Sequence, residues 1–124
     1  MAQRTVLDVG NCAPDHAAIG RMLVSNFDAL VLQTHGAQDT LQLLRSRQVD
    51  LVLINRKLDV DYSDGAEILK QIKAEQGLSD IPVMIVTNYE EHQETAVALG
   101  AVQGFGKLSL NSAETQHRLA AVLG

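Results

Sequence analysis

Asn55 closes the apolar run Val49-Asp50-Leu51-Val52-Leu53-Ile54, and in an open parallel sheet the carboxyl end of a strand is where chemistry is normally placed. The side chain there is an amide. It cannot attack a phosphoryl donor as a carboxylate does, and it offers a divalent metal only a neutral oxygen. The first apolar run ends in Gly10-Asn11-Cys12, again without a carboxylate, while Thr87 and Lys107 end two later runs. A site built from these residues is polar, partly cationic and short of anionic ligands.

Two uses of such a site follow. Lys107 with a nearby hydroxyl and Asn55 can hold a small anion at the sheet edge; alternatively, these side chains only satisfy neighbouring backbone and amide groups. The second reading is preferred, because Gly10-Asn11-Cys12-Ala13-Pro14 holds one glycine and a proline and is no phosphate-cradling turn. His16, His35, His92 and His117 are dispersed, and apart from the loose pair of Cys12 and His16 there is no metal-ligand spacing. Cys12 reads as a small, partly buried thiol. Ser25, Ser63 and Ser112 have no local base.

At 124 residues with 46% hydrophobic composition, the chain is expected to form a single domain, residues 1–124, with a sizeable core. Ten Lys and Arg against fifteen Asp and Glu give a net charge of -5, with no basic stripe for nucleic acid. Cys12 is the only cysteine, which suits a reducing compartment. Met1-Ala2-Gln3-Arg4 leads into a short apolar segment unlike a signal peptide, and no apolar run is long enough to span a bilayer. A cytoplasmic location and no membrane contact are therefore expected.

Five short apolar runs, over residues 5–9, 29–33, 51–54, 82–86 and 102–105, alternate with segments of helical spacing. Helices are expected over 13–26, 39–47, 66–76, 90–99 and 110–123. Pro14 and Asp15 suit a first turn, and Ile19, Leu23 and Phe27 recur every four residues. Near-continuous Val, Leu and Ile runs imply a parallel sheet covered on both faces.

Several features recur in a fixed order along nearly the whole chain. They are Asp50-Leu51-Val52-Leu53-Ile54, Asp64-Gly65, Ile81-Pro82-Val83, Thr87, Gly100-Ala101 and Phe105-Gly106-Lys107. In this arrangement the chain resembles a bacterial response-regulator receiver domain. The resemblance implies an α/β, three-layer, doubly wound five-stranded parallel sheet of flavodoxin-like receiver fold, strand order 2-1-3-4-5. It places the family's phosphate-accepting aspartate on Asn55 and its acidic metal-binding pair on Gly10 and Asn11, retains the hydroxyl residue as Thr87 and the lysine as Lys107, and puts the aromatic switch position on Phe105. Asn88 replaces a small residue and Leu108 a proline, and the segment 55–64 is longer than usual and lacks its proline.

Aspartyl phosphorylation needs a carboxylate nucleophile and a way to neutralise the phosphoryl oxygens, commonly a divalent ion with a lysine and a hydroxyl. Gly10, Asn11 and Asn55 supply neither nucleophile nor acidic metal ligand. The expectation is a degenerate receiver with no catalysis, no metal and no cofactor. It would act by phosphorylation-independent protein–protein interaction in signal transduction. The alternatives are an unconventional phospho-acceptor using Asp8, Asp59 or Asp61, or a small-anion-binding module. Asp8 lies inside the first apolar run, where a buried carboxylate needs a partner such as Lys107 or Asn11. The candidate partner surface comprises Glu90, Glu91, His92, Glu94, Phe105 and Leu108, unless Phe105 is buried and the acidic helix merely solvated. The resemblance implies a signalling partner there, a histidine kinase or another regulator, or a homodimer through the fourth-helix to fifth-helix face.

Overall fold

The computed structural model describes residues 3–124. Four of the apolar runs become parallel strands: β1 (Thr5–Val9), β2 (Leu30–Thr34), β3 (Leu51–Asn55) and β4 (Val83–Val86), in the order β2-β1-β3-β4. β1, β4 and all of β3 except Asn55 are buried, whereas the edge strand β2 is partly exposed. This is why β1, β3 and β4 read as near-continuous apolar segments.

The helices are α1 (Ala13–Phe27), α2 (Ala37–Ser46), α3 (Ala66–Ala74), α4 (Glu90–Ala98) and α5 (Ala113–Leu123). α2 begins ahead of the expected position because the Asp39 carboxylate accepts the backbone N–H groups of His35 and Gly36 at 2.9 and 2.8 Å and so closes the first turn. α5 begins later than expected. Lys107–Ser109 forms a separate 3-10 turn, and the Ser112 hydroxyl caps the helix by accepting Thr115 N–H at 3.1 Å.

Strand alternation divides the core into two layers. Leu7, Val9, Val52, Ile54 and Ile85 pack with Leu41 and Leu44 of α2, Ile68 and Ile72 of α3, and Ala96 of α4. Val6, Leu51, Leu53 and Met84 face the other way, against Ile19 and Leu23 of α1, Leu119 and Leu123 of α5, and Phe105. Asp8 shares the parity of Val6 and is therefore directed to the α1 side.

The expected fifth strand over residues 102–105 does not form, so the sheet has four strands and not five. The segment does run beside β4. Val102 N–H donates to Val83 O at 2.8 Å, Thr87 N–H donates to Phe105 O at 3.0 Å, and a single parallel bridge joins Val86 to Phe105. Between those points the ladder is interrupted by a side chain. The Gln93 carboxamide donates from Nε2 to Ile85 O at 2.9 Å and accepts Gly104 N–H on Oε1 at 2.9 Å, occupying two backbone groups that a continuous ladder would use.

Candidate functional site

From β1 the chain reaches β2 on one side, while β3 lies on the other, so the carboxyl ends of β1 and β3 flank the switch point where such sheets form a crevice. Gly10, Asn11 and Asn55 fall there. Asn55, Thr87 and Lys107 share a cavity of about 340 Å³ with Arg56, Lys57 and His92, and no Asp or Glu lines it. Gly10 and Asn11 do not line it.

Asn55 acts as a donor. Its Nδ2 reaches Lys57 O at 2.7 Å and Gly10 O at 3.2 Å, tying the end of β3 to its own following loop and to the turn after β1. A carboxylate at this position would face two carbonyl oxygens with no proton to offer.

Behind Asn55, the β1 end is packed with protein. Gly10 has φ +75°, and a Cβ there would stand 2.5 Å from Leu58 Cδ2. Leu58 is buried in the core, and the next residue anchors the loop by donating its N–H to Gly10 O at 3.0 Å. The segment 56–64 is thus an ordered hairpin, with Lys57 bridged antiparallel to Asp64 and Leu58 N–H donating to Ser63 O at 2.9 Å.

Asp8 is fully buried. Asn11 Nδ2 donates to Oδ1 at 2.5 Å and His16 Nδ1 contacts Oδ2 at 2.7 Å, so both carboxylate oxygens are engaged. Burial pushes the Asp8 carboxyl above the ordinary carboxylate range, against the opposing pull of the His16 and Asn11 hydrogen bonds and of the His16 and Lys107 charges. Of the two partners expected for Asp8, Asn11 is in place and Lys107 is not. His16 was missed, although a histidine on the first turns of the following helix is well placed to meet an inward carboxylate on β1.

Lys107 Nζ bonds instead to Asp15 Oδ2 at 2.7 Å. The hydrogen bond from Lys107 holds the Asp15 carboxyl below its usual range despite partial burial, and Cys12 Sγ, 3.2 Å away, acts in the same direction. The Thr87 hydroxyl is 3.2 Å from His92 Nδ1 and accepts Tyr89 N–H at 3.3 Å. Asn88 Oδ1 accepts Leu108 N–H at 3.0 Å and packs against Gly106, where an added Cβ would collide with it.

The remaining carboxylates do not converge on Asn55. Asp59 Oδ2 lies 3.4 Å from His35 Nδ1, and Asp61 accepts the Ser63 hydroxyl and N–H at 2.6 and 3.0 Å. Asn11 Oδ1 and Asp59 Oδ1 are buried with no hydrogen-bond partner. Among the described residues, no three His, Cys, Asp or Glu side chains gather as ligands for a metal. Of the candidate surface residues, Glu90, Glu91, Glu94 and Leu108 are exposed, His92 is half-buried, and Phe105 is buried and so presents no contact area.

The model of the response regulator receiver domain matches residues 13–111. The chain belongs to that family. No curated protein matches the chain. Solved structures with the same fold include the chemotaxis response regulator CheY4 of Vibrio cholerae, 18% identical with a TM-score of 0.77, covering 98% of this chain and 100% of that one. Another is the signal receiver domain of the DNA-binding response regulator merR from Colwellia psychrerythraea, at 23% identity and a TM-score of 0.79, covering 96% and 97%. A third, the response regulator AtBRR of a bacteriophytochrome, is 22% identical with a TM-score of 0.75 over 98% and 94%. Family membership supports a role in signalling, and receiver domains are typically non-catalytic modules. No helix among the described residues is long and apolar enough to cross a membrane.

The family match begins at residue 13, after β1 and the Gly10-Asn11-Cys12 turn. The divalent ion expected of a receiver does not fit the donor set here. Gly10 has no side chain, Leu58 fills the space beside it, Asp8 is fully engaged, and Asn55 points amide hydrogens toward Gly10 O.

Proposed function

We propose that this receiver signals by contact with a protein partner and does not depend on an aspartyl-phosphate cycle. The observation that carries the reading is Asn55 Nδ2 donating to Lys57 O at 2.7 Å and to Gly10 O at 3.2 Å. The nucleophile position is used for internal cross-bracing, through hydrogen atoms that an aspartate lacks. Lys107 is held by Asp15 and Thr87 by His92, so neither is left aimed at a phosphoryl group.

The partner surface is the face formed by α4, the 102–105 segment and α5. Glu90, Glu91 and Glu94 supply its negative charge, and Val97, Val102 and Leu108 its exposed apolar area. Apolar anchors carry most of the affinity at such faces, while the charges set encounter rate and partner choice. The partner is a signalling protein of the histidine-kinase or regulator type, or a second copy of this chain.

The reading is tested in two arms. Intact-mass analysis after incubation with a small phosphoryl donor and magnesium should show no adduct; one mapping to Asp8, Asp59 or Asp61 would establish the unconventional acceptor instead. Partner capture should be lost in Glu91→Lys/Glu94→Lys and kept in Asn55→Ala. Loss only in the folded Asn55 variant would return the function to the pocket.

A further inference from the structure

Gln93 sits in the middle of α4 and is nearly inaccessible, at 3% exposure. Its carboxamide makes contacts in four directions. Nε2 donates to Ile85 O at 2.9 Å and lies 3.3 Å from Thr87 O and 3.5 Å from Phe105 O, and Oε1 accepts Gly104 N–H at 2.9 Å. One side chain therefore joins α4, β4 and the 101–106 segment.

The surrounding residues are shaped around that insertion. A Cβ on Gly104 would stand 2.5 Å from Ile85 O and 3.2 Å from Gln93 Oε1, so a glycine is needed for the segment to approach this closely. From the opposite helix, Arg118 Nη1 donates to Gly104 O at 2.8 Å. Gly104 thus has its N–H satisfied from α4 and its C=O from α5, in a stretch whose flanking ladder bonds, Val102 to Val83 and Thr87 to Phe105, are direct.

We propose that Gln93 is a latch. Its carboxamide substitutes for the missing ladder between β4 and the 101–106 segment and holds the α4–α5 face in one arrangement. Any displacement of α4 against β4, or of Phe105 out of the core, strands buried donors and acceptors on three elements at once. The face is therefore presented ready-made, and its shape does not wait on events at Asn55. This deepens the proposed function, and rests on it only for the claim that the face meets a partner; the latch is tested without one.

The measurement is hydrogen exchange by NMR on the full chain. In the wild type, the Gln93 carboxamide protons should exchange at least about a hundredfold more slowly than those of the exposed Gln48, because the Gln93 carboxamide lies in a hydrogen-bonded interior. In Gln93→Met the Gly104 amide should exchange at least about tenfold faster, while Leu7 and Leu53 in β1 and β3 stay near their wild-type rates. In Gln93→Glu the carboxylate still accepts Gly104 N–H but has no proton for Ile85 O, so protection of Gly104, corrected for the intrinsic pH dependence of exchange, should rise as the pH is lowered and the carboxyl again donates to Ile85 O. Wild-type Gln93 protons as labile as those of Gln48, or an unchanged Gly104 rate in Gln93→Met, would overturn the latch. If Gln93→Met exchanges globally, the wild-type side-chain measurement decides alone.

Discussion

The two halves of the strand-end crevice are occupied in different ways. At the β1–β3 half the space is filled: Leu58 packs against Gly10, Asp8 is closed off by Asn11 and His16, and Asn55 ties the turns together. At the β4 half Thr87 and Lys107 line a cavity of about 340 Å³, but their polar atoms are directed to His92 and Asp15. The difference shows that the residues at the strand ends come in matched sets. Gly10 goes with Leu58 and the 56–64 hairpin, and Asn55 with the Lys57 carbonyl. Asn88 goes with Leu108, whose N–H it accepts and which a proline could not supply. Changing one member alone therefore meets a partner built for the other.

The largest expected effect is at Gly10. Gly10→Ala combines a left-handed φ with a collision against Leu58, and should cost about 3 kcal/mol in urea denaturation. Leu58→Ala should cost a similar amount, about 3 kcal/mol, by opening a cavity. The double variant should cost clearly less than the sum, because removing Leu58 relieves the collision while the φ strain remains. Strict additivity would mean that the two residues do not share the space.

Asn55→Asp comes next. Two carbonyl oxygens would face a carboxylate, for an expected loss of about 1 to 2 kcal/mol near neutral pH. Acidification should recover part of that loss, since a protonated carboxyl can again donate. Magnesium and a small phosphoryl donor should still leave no adduct.

Asp8 gives a smaller effect with a definite sign. Burial raises its pKa above 3.8 in the folded chain, so the folded state holds this proton to higher pH than the unfolded state does. Its contribution to stability is full below pH 3.8 and is lost as pH rises through the raised value. Comparing urea midpoints for the wild type and Asp8→Asn across this window should show a loss of stability with rising pH that is absent from the variant's own profile. A difference of opposite slope would mean that the hydrogen bonds from His16 and Asn11 outweigh burial.

The smallest effect is at the β4 half. Lys107→Met removes a partly exposed ion pair and should change stability by less than about 1 kcal/mol. Its readout is Asp15, whose carboxyl titration followed by NMR should move up toward the ordinary 3.8 once the lysine is gone. An unmoved midpoint would place the cause elsewhere, with Cys12 the next contact.

Apolar periodicity by itself determined the alternation of strands and helices, because burial on two faces demands near-continuous Val, Leu and Ile in β1, β3 and β4. Residue type alone likewise determined that Asn55, Gly10 and Asn11 carry no carboxylate, since no fold can supply an atom that a side chain does not have. Residues 102–105 looked like a fifth strand by the same apolar rule, and there the rule failed. Whether a segment joins a ladder depends on what competes for its backbone groups, and the competitor, Gln93, comes from a segment that is polar except for Ala96, Val97 and Leu99 toward its end. The partners of Asp8, Lys107 and Thr87 were decided in the same way. Hydrogen bonds form over about 3 Å, and only the packing of α1 and α4 against the sheet brought His16, Asp15 and His92 within that reach.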